Sequence, residues 1–362
     1  MKLVVFGLTV SSSWGNGHAT LWRGLMRALS ELGCEVVFFE RNQSWYAEHR
    51  DIAEPPGGRL VLYEHWGEVA GLAAREVREA DAAMITSFCP DAQVACDLVL
   101  GSGRTAVFYD MDTPVTLAQI RDGRTPDYVP AGGLADFDLV LSYAGGAALD
   151  GLRGLGARDA RPLYGHVDPL VHFRVTAEDR YRADLSYIGA YAADRQPALE
   201  ALFVEPARRR PEHTFVLAGS GYPPDFPWSD NVWFVRHLPP PEHAAFYSSS
   251  RLTVNVTRAD MAETGWTPSG RLFEAAACAC PVLSDRWPGL ESFFEPDREI
   301  LVASTPEEAL AALDRPPEEL ARIGEAARER ALAEHASAHR AAELLAMLQS
   351  VGARRSAARE VA

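Results

Sequence analysis

The sequence predicts an α/β protein in which two doubly wound parallel sheets follow one another along the chain. Three observations support this prediction. Short apolar runs of strand length alternate with longer helical patterns, the same alternation restarts near residue 184 after a polar stretch, and 362 residues suit two domains better than one. Near-continuous apolar strands separated by helices are typical of parallel sheets that are covered on both faces.

The predicted N-terminal domain covers residues 1–172. Its strands are the apolar runs KLVVFGLTV, CEVVFFE, RLVLY, DAAMITS, TAVFYD and DLVLSYA. Helical candidates such as ATLWRGLMRALSEL and AAREVREA follow these strands. Gly33 stands where a left-handed cap would end the first helix.

The predicted C-terminal domain covers residues 173–335, with a linker over VDPLVHFRVTAEDRYRA. Its strands are DLSYIGAY, HTFVLAGS, NVWFVRHL, RLTVNVT, PVLSD and EILVAS. We expect helices at about 195–204, 240–249, 269–279 and 305–313. A last helix, 336–362, is expected to return to the N-terminal domain and to have a frayed end. Two such domains would face a central cleft, since open parallel sheets bind ligands at the carboxyl ends of their strands.

Composition excludes several classes of function. The chain has 35 Lys and Arg against 50 Asp and Glu, a net charge of −15, which argues against a nucleic-acid partner. There is no signal-peptide pattern and no apolar run near the roughly 18 residues that span a bilayer, so we expect a cytoplasmic protein without an integral membrane segment. Five scattered cysteines indicate neither disulfides nor a zinc site. The sequence gives no indication of an oligomeric state.

The loop SSSWGNGHAT separates the first strand from its helix. Gly15 and Gly17 would let the backbone approach a ligand, and the following helix start favours an anion. With Glu40 at the end of the second strand, the loop partly fits a dinucleotide-binding fingerprint, but it is too long and has Thr20 where Gly or Ala is needed. An NAD(P) site, a structural turn and a substrate-facing loop that carries His18 remain open, and we favour the last.

Two aspartates follow the strand TAVFYD directly. Asp110 and Asp112 could hold a divalent ion that bridges a diphosphate, because hard oxygen ligands suit magnesium. Alternatively, one of them caps the helix that begins at Thr113 and Pro114 while the other faces the ligand. We favour the interpretation without a metal.

Two segments of the second half carry charges suited to a nucleotide. In YIGAYAADRQPAL, Arg195 at a helix start would attract a phosphate, unless it simply pairs with Asp194 at the surface. In TPSGRLFEAAACACPVLSD, Thr267 or Ser269 can cap a helix that bears Glu274. That carboxylate either complements the helix dipole or accepts hydrogen bonds from two neighbouring hydroxyls, as a ribose offers.

These segments resemble the group-1 glycosyltransferases of GT-B fold, most closely their CgeB-like (spore-maturation) branch. FEAAACACPV is similar to the family's nucleotide-binding helix FEAxAxGxPV, and LYGHVDPLVHF to its NGVDxxxF segment. The resemblance runs from SSSWGNGHATLWRGL to EILVASTPEEAL. It implies two Rossmann-like domains, the first on the acceptor side and the second binding the nucleotide sugar.

The resemblance further implies a glycosyltransferase that moves a sugar from a nucleotide-diphosphate sugar to an acceptor hydroxyl with retention. Because the arginines can stabilise the leaving diphosphate, we expect the transfer to need no metal or other cofactor. Glu274 would bind the ribose and Arg195 would neutralise the diphosphate. His18, Asp110 and Asp112 would bind and orient the acceptor. The full set of expected donor-binding residues is Gly15, Gly17, Arg195, Ser269, Arg271 and Glu274.

The sequence departs from the family at two positions. Trp266 stands where a second acid is expected, and Ala279 replaces the usual glycine at the helix end. Arg258, Glu263 and Trp266 itself are therefore candidate contacts to the donor sugar. Two other functions stay open: an NAD(P)-dependent oxidoreductase that uses the Gly15 and Gly17 loop, and a non-catalytic sugar-nucleotide-binding protein.

Overall fold

The computed structural model describes residues 1–361 and divides into two compact units. Unit 1 contains 1–164 together with the C-terminal stretch from Ser337, and unit 2 contains Gly165–Ala336. Each unit is built on its own parallel sheet.

The boundary between the units lies at residues 164 and 165, before the predicted boundary at residue 172. The intervening residues contact unit 2. The Val167 N–H donates to the His335 carbonyl at 3.0 Å, and the rings of His172 and His243 lie 5.4 Å apart between centroids. Much of the predicted linker is therefore part of the unit 2 fold, which a polar, aperiodic sequence does not reveal.

Unit 1 contains seven strands. They are β1 Lys2–Gly7, β2 Glu35–Arg41, β3 Arg59–Tyr63, β4 Ala82–Thr86, β5 Thr105–Asp110, β6 Leu139–Ser142 and β7 Ala160–Pro162. All pair in parallel in the order β3-β2-β1-β4-β5-β6-β7, so the chain reverses direction across the sheet between β1 and β4. The six predicted strands are present, β1 ends earlier than the run KLVVFGLTV suggests, and β7 was not predicted.

The helices of unit 1 cover both faces of its sheet. They are α1 His18–Glu31, α2 Ser44–Ala47, α3 Trp66–Glu79, α4 Ala92–Gly101, α5 Thr113–Arg121 and α6 Ala147–Gly154. One apolar core joins β1 to α3 and α4, and a second joins the opposite face to α1. Four residues of the C-terminal helix belong to the second core: Ala341, Leu344, Leu348 and Val351.

Unit 2 repeats this plan with six strands. They are β8 Leu185–Ile188, β9 Phe215–Ala218, β10 Val232–Val235, β11 Thr253–Asn255, β12 Val282–Ser284 and β13 Leu301–Val302. The parallel order is β10-β9-β8-β11-β12-β13, which puts the reversal between β8 and β11. All six predicted strands are present.

The remaining helices are α7 Gln196–Leu199, α8 Glu205–Arg209, α9 Pro240–Ser248, α10 Ala259–Thr264, α11 Gly270–Ala277, α12 Pro306–Leu313, α13 Pro317–Glu334 and α14 Ser337–Val361. A π-helical stretch, Glu200–Val204, joins α7 to α8, so this helical region extends beyond the predicted 195–204. No helix among residues 1–361 is long and apolar enough to cross a membrane.

The C-terminal helix forms close to its predicted bounds. α14 runs from Ser337 to Val361, against the predicted 336–362. Two ion pairs hold its last turns to unit 1: Arg354 with Asp159 at 2.6 Å, and Arg355 with Asp138. The final residue of the predicted frayed end, 362, lies outside the described residues.

Candidate functional site

The point where the strand order reverses is the expected ligand position in an open parallel sheet. In unit 2 this point lies between β8 and β11. Tyr187 on β8, Asn255 at the end of β11 and the first turn of α11 contribute to it, because Arg271 of α11 contacts both of the other residues. Tyr187 was not among the residues predicted for the site.

Two arginines converge on Tyr187. Arg195 Nη1 donates to the Tyr187 hydroxyl at 3.2 Å and to the Ala190 carbonyl at 3.0 Å. The Arg271 guanidinium carbon lies 5.3 Å from the centroid of the same ring, and Arg271 Nη1 donates to Asn255 Oδ1 at 3.2 Å. Both arginines therefore contact the same tyrosine. They are more than seventy residues apart in the sequence, so the sequence could not show this.

Neither arginine forms a salt bridge with a carboxylate of the described residues. Within residues 1–361, no carboxylate lies within 4.0 Å of the guanidinium of Arg195 or Arg271. Arg195 Nε is buried and lacks a hydrogen-bond acceptor in the same part of the chain. Half-buried guanidinium groups without a salt-bridge partner are suited to an anionic ligand.

Asp194 pairs with a different arginine from the one predicted. Arg258 Nε donates to Asp194 Oδ2 at 3.0 Å. The alternative in which Arg195 merely pairs with Asp194 at the surface is therefore wrong. Arg258 has a carboxylate partner, which makes it a weaker candidate for binding a phosphate.

The N-terminus of α11 adds a third attraction for an anion. Ser269 occupies the N-cap position without a side-chain hydrogen bond, and the Thr267 hydroxyl donates to the Gly265 carbonyl at 2.8 Å. The predicted capping by either residue is thus not observed. The backbone N–H groups of the first turn keep no side-chain acceptor, so the positive end of the helix dipole is available to a ligand.

Glu274 lies one turn further along α11, beside two histidines. Its Oε1 is 3.9 Å from His172 Nε2 and its Oε2 is 3.7 Å from His243 Nδ1. Only 12% of its side chain is exposed. Burial raises the pKa of the Glu274 carboxyl, and the nearby His243 and Arg271 partly offset that rise.

The two histidines were not predicted as site residues. Burial lowers the pKa of His172 and of His243 to about 4, so both imidazoles are neutral near pH 7. His172 lies within the quoted segment LYGHVDPLVHF, but no motif links it to His243 in α9. The fold alone brings them together.

Trp266 lies in the loop that precedes α11, and Glu263 lies on α10 just before that loop. Trp266 has φ +45°, an uncommon left-handed conformation for a large side chain. Its N–H donates to the Pro288 carbonyl at 2.7 Å, and a Cβ added at Gly289 would lie 2.5 Å from its ring. Position 289 therefore needs a glycine, because any side chain there would overlap the Trp266 ring. Glu263 is exposed on α10.

In unit 1, the structure brings together two of the predicted acceptor residues. His18 begins α1 and Asp112 immediately precedes α5; His18 Nε2 is 2.7 Å from Asp112 Oδ2. Asp112 occupies the N-cap position, but its side chain turns to His18 and does not cap the helix. A carboxylate oxygen accepts, so Nε2 is assigned the hydrogen, and in the neutral tautomer Nδ1 would keep a lone pair. That Nδ1 has no hydrogen-bond partner in the described chain.

Asp110 lies beneath this pair and is fully buried. Its Oδ1 accepts from the Asp112 N–H at 3.0 Å, while Oδ2 has no partner among residues 1–361. Burial raises the pKa of Asp110 to about 7. The two aspartates therefore differ in environment. Among the described residues, the one cluster of three or more side chains able to bind a metal is in unit 2 and does not include them: His172, His243 and Glu274.

The glycine loop does not provide the acid of a dinucleotide site. Gly15 has φ +66° and Gly17 directly precedes α1. Glu40 is 0% exposed, and its carboxylate accepts from Val10 N at 2.7 Å and from the Ser11 hydroxyl at 2.5 Å. Glu40 holds the loop in place and cannot reach a cofactor ribose, which argues against the NAD(P) alternative.

Residues 195–346 match a protein family described as "Glycosyl transferase-like". Among solved structures, HepE from Anabaena in complex with UDP-glucose is similar at 14% identity, with a TM-score of 0.65 over 97% of this chain and 100% of that chain. Sucrose-phosphate synthase from Thermosynechococcus elongatus is similar at 15% identity, with a TM-score of 0.64 over 98% and 99%. The chain has the GT-B fold.

The GT-B fold by itself does not decide the reaction. A proposed UDP-N-acetylglucosamine 2-epimerase from Listeria monocytogenes is also similar, at 14% identity with a TM-score of 0.51 over 96% of this chain and 95% of that chain. The sequence has no significant match among curated proteins. The family match covers residues 195–346, less than half of the chain, and the similar structures show the fold.

Proposed function

We propose that this protein transfers a sugar from a nucleotide-diphosphate sugar to an acceptor hydroxyl. The observation that carries the proposal is the pair of arginines, Arg195 and Arg271, that share Tyr187 and have no carboxylate partner in the described chain. They lie where the strand order of unit 2 reverses, and the family match includes both. Their charge and position suit a diphosphate.

In this proposal each donor group has a matching protein group. The diphosphate binds Arg195, Arg271 and the N–H groups that follow Ser269. Glu274 accepts hydrogen bonds from the ribose hydroxyls, since one carboxylate offers two oxygens to two neighbouring donors. The sugar itself contacts Arg258, Glu263 and Trp266. A structure of HepE contains UDP-glucose, which supports a uridine nucleotide as the first donor to test.

The reaction needs stabilisation of the leaving diphosphate. Negative charge builds on that group as the glycosidic carbon acquires oxocarbenium character, and preorganised cations lower the barrier most. Two fixed guanidinium groups and a helix N-terminus provide this stabilisation, so we propose a metal-independent transfer.

On the acceptor side we propose that His18 and Asp112 bind the attacking hydroxyl, with Asp110 fixing the Asp112 backbone. The resemblance to the CgeB-like branch implies retention, in which the leaving diphosphate takes the proton. The His18 and Asp112 pair favours the alternative outcome, inversion, because an inverting enzyme needs a base and a neutral imidazole that donates from Nε2 to Asp112 would offer its Nδ1 lone pair. The anomeric configuration of the product, read by NMR, decides between them.

The experiment that tests the function begins with a thermal-shift panel of UDP, GDP, dTDP, their sugars, NAD and NADP, with and without magnesium. The best donor is then incubated with the protein, and the release of free nucleoside diphosphate is measured. Where no acceptor is known, hydrolysis of the donor is the reaction that is followed. Arg195→Ala and Arg271→Ala should each lower turnover at least about 100-fold, the cost of removing one transition-state donor.

The matched control is Arg298→Ala, because Arg298 is exposed and pairs only with surface acids. Turnover that survives in both arginine variants would contradict the donor site. Saturable binding of NAD or NADP instead of a nucleoside diphosphate would favour an oxidoreductase, and nucleotide binding without any turnover would favour a sugar-nucleotide-binding protein.

A further inference from the structure

Three side chains of unit 2 meet at one buried point. His172 Nε2 lies 3.2 Å from His243 Nδ1, and the two nitrogens lie 3.9 and 3.7 Å from the two carboxylate oxygens of Glu274. The exposed fractions of these side chains are 0%, 10% and 12%. A ribose contact at Glu274 requires neither histidine, so the proposed transfer leaves this group unexplained.

No placement of the ring hydrogens gives every nitrogen of these two neutral histidines a hydrogen-bond partner among the described residues. His243 Nε2 is 3.2 Å from the Leu238 carbonyl, which only accepts, so the hydrogen is on Nε2 and Nδ1 is a lone pair. If His172 Nε2–H donates to that lone pair, His172 Nδ1 becomes a buried acceptor, and it has no partner in the described residues. If the hydrogen is instead on His172 Nδ1, the lone pairs of His172 Nε2 and His243 Nδ1 face each other at 3.2 Å.

A cation between the three groups resolves this conflict. Zn²⁺ binds imidazole nitrogen and carboxylate oxygen at about 2.0–2.2 Å, so two ligand atoms around it in tetrahedral geometry lie roughly 3.3–3.5 Å apart. The separations of 3.2, 3.7 and 3.9 Å need changes of only a few tenths of an ångström to match. The Leu238 carbonyl would orient His243 in the way that outer-shell acceptors orient metal-binding histidines.

We propose that His172 Nε2, His243 Nδ1 and the Glu274 carboxylate bind a divalent transition-metal ion of the Zn²⁺ type, with a fourth position left for water. Two histidines and one glutamate are a known ligand set for zinc. This ion is not required for the transfer.

One consequence rests on the proposed function. The metal and the ribose of the donor would both use the Glu274 carboxylate, so the bound ion opposes nucleotide binding. Occupancy of the metal site would then lower the activity of the enzyme, and a chelator would raise the activity of protein that contains the ion.

The first experiment measures the metal alone. Full-length protein is stripped with a chelator and titrated with Zn²⁺ against a chromophoric indicator, in the absence of nucleotide. We expect one equivalent to bind, with an affinity that falls in His172→Gln, His243→Gln and Glu274→Gln by more than the roughly 10–100-fold that loss of an outer-shell partner costs. The control is His213→Gln, because the His213 imidazole lies outside this group, 3.3 Å from the exposed Glu212 carboxylate.

Absence of a stoichiometric site, or equal affinity in all three variants and the control, would overturn the proposal. A Co²⁺ spectrum of the unmodified protein makes the test independent of variant folding. Intense d–d bands without a thiolate charge-transfer band are expected for nitrogen and oxygen ligands. A thiolate band would show that a cysteine binds the ion and would refute the site.

The second experiment separates this proposal from the proposed function. UDP binding is measured by calorimetry on stripped protein and again after one equivalent of Zn²⁺. We expect UDP to bind the stripped protein and to bind at least about tenfold more weakly to the loaded one, which is a coupling of ordinary size. If zinc binds but UDP affinity does not change, the competition is wrong while the metal site stands; if UDP binds neither form, the proposed function fails and the metal site is unaffected.

Discussion

Asp110 gives unit 1 a stability that should fall as pH rises. Its carboxyl is fully buried, and burial raises its pKa from 3.8 to about 7. Below about pH 4 the group is protonated in both the folded and the unfolded chain and has no effect. Between about pH 4 and 7 the unfolded chain loses this proton first, so the free energy of unfolding falls, and above pH 7 the loss is complete.

The magnitude follows from the shift. About three pKa units at 1.36 kcal/mol each correspond to about 4 kcal/mol in total, and integration over the window from pH 5 to 8 leaves about 2–3 kcal/mol. Asp110→Asn removes the titration, since an amide stays neutral, and its oxygen can still accept from the Asp112 N–H. We expect the variant to gain about 2–3 kcal/mol relative to the unmodified protein between pH 5 and pH 8.

The assay is urea unfolding of both proteins at half-unit intervals from pH 5 to 8, with the difference between them taken at each pH. The control is Asp122→Asn, because Asp122 is an exposed aspartate of the same unit. Its curve should stay parallel to that of the unmodified protein. A difference between Asp110→Asn and the unmodified protein that does not change with pH would refute the argument, since it would mean that Asp110 titrates alike in the folded and unfolded chains.

Three further predictions concern helix α11 and the acceptor pair. Ala279 has φ +56°, so Ala279→Gly should raise the free energy of unfolding by about 1–2 kcal/mol in urea; an unchanged or lower value would show that the left-handed backbone costs nothing here. Glu274→Gln should weaken UDP binding at least about tenfold in calorimetry while binding of inorganic pyrophosphate stays unchanged, because only the ribose contact loses its charge; equal losses for both ligands would remove Glu274 from the ribose. His18→Ala should lower kcat by about 10²–10⁴-fold and Asp112→Asn by a smaller factor, with UDP affinity unaffected; weaker UDP binding in both variants would place the pair on the donor instead.

The fold followed from local sequence to a large extent. All twelve predicted strands form, because each is a short apolar run that favours a strand locally, although the edge strands β3 and β10 stay partly exposed. Strand β7 was missed because Ala160–Pro162 is short and polar, and it pairs only with the end of β6. The early unit boundary was missed for a related reason: hydrogen bonds to distant backbone groups hold the polar segment that follows residue 164 in unit 2.

The candidate site followed from sequence where one element carried it. Arg271 and Glu274 are one turn apart on α11, so helical spacing put them on one side of the helix. The replacement of the family's glycine by Ala279 was also visible in sequence. In the structure Ala279 keeps the left-handed backbone conformation that glycine would adopt without strain.

Sequence by itself determined the α/β class, the two parallel sheets and the helix that carries Glu274, because periodicity, capping residues and apolar runs act over a few residues. Tertiary structure alone decided that Tyr187 holds Arg195 and Arg271, that Asp112 meets His18, and that His172 and His243 enclose Glu274. Those contacts join residues far apart in the chain, and their energies depend on burial and on the absence of other partners. Neither property exists until the sheets have formed and the carboxyl ends of their strands lie side by side.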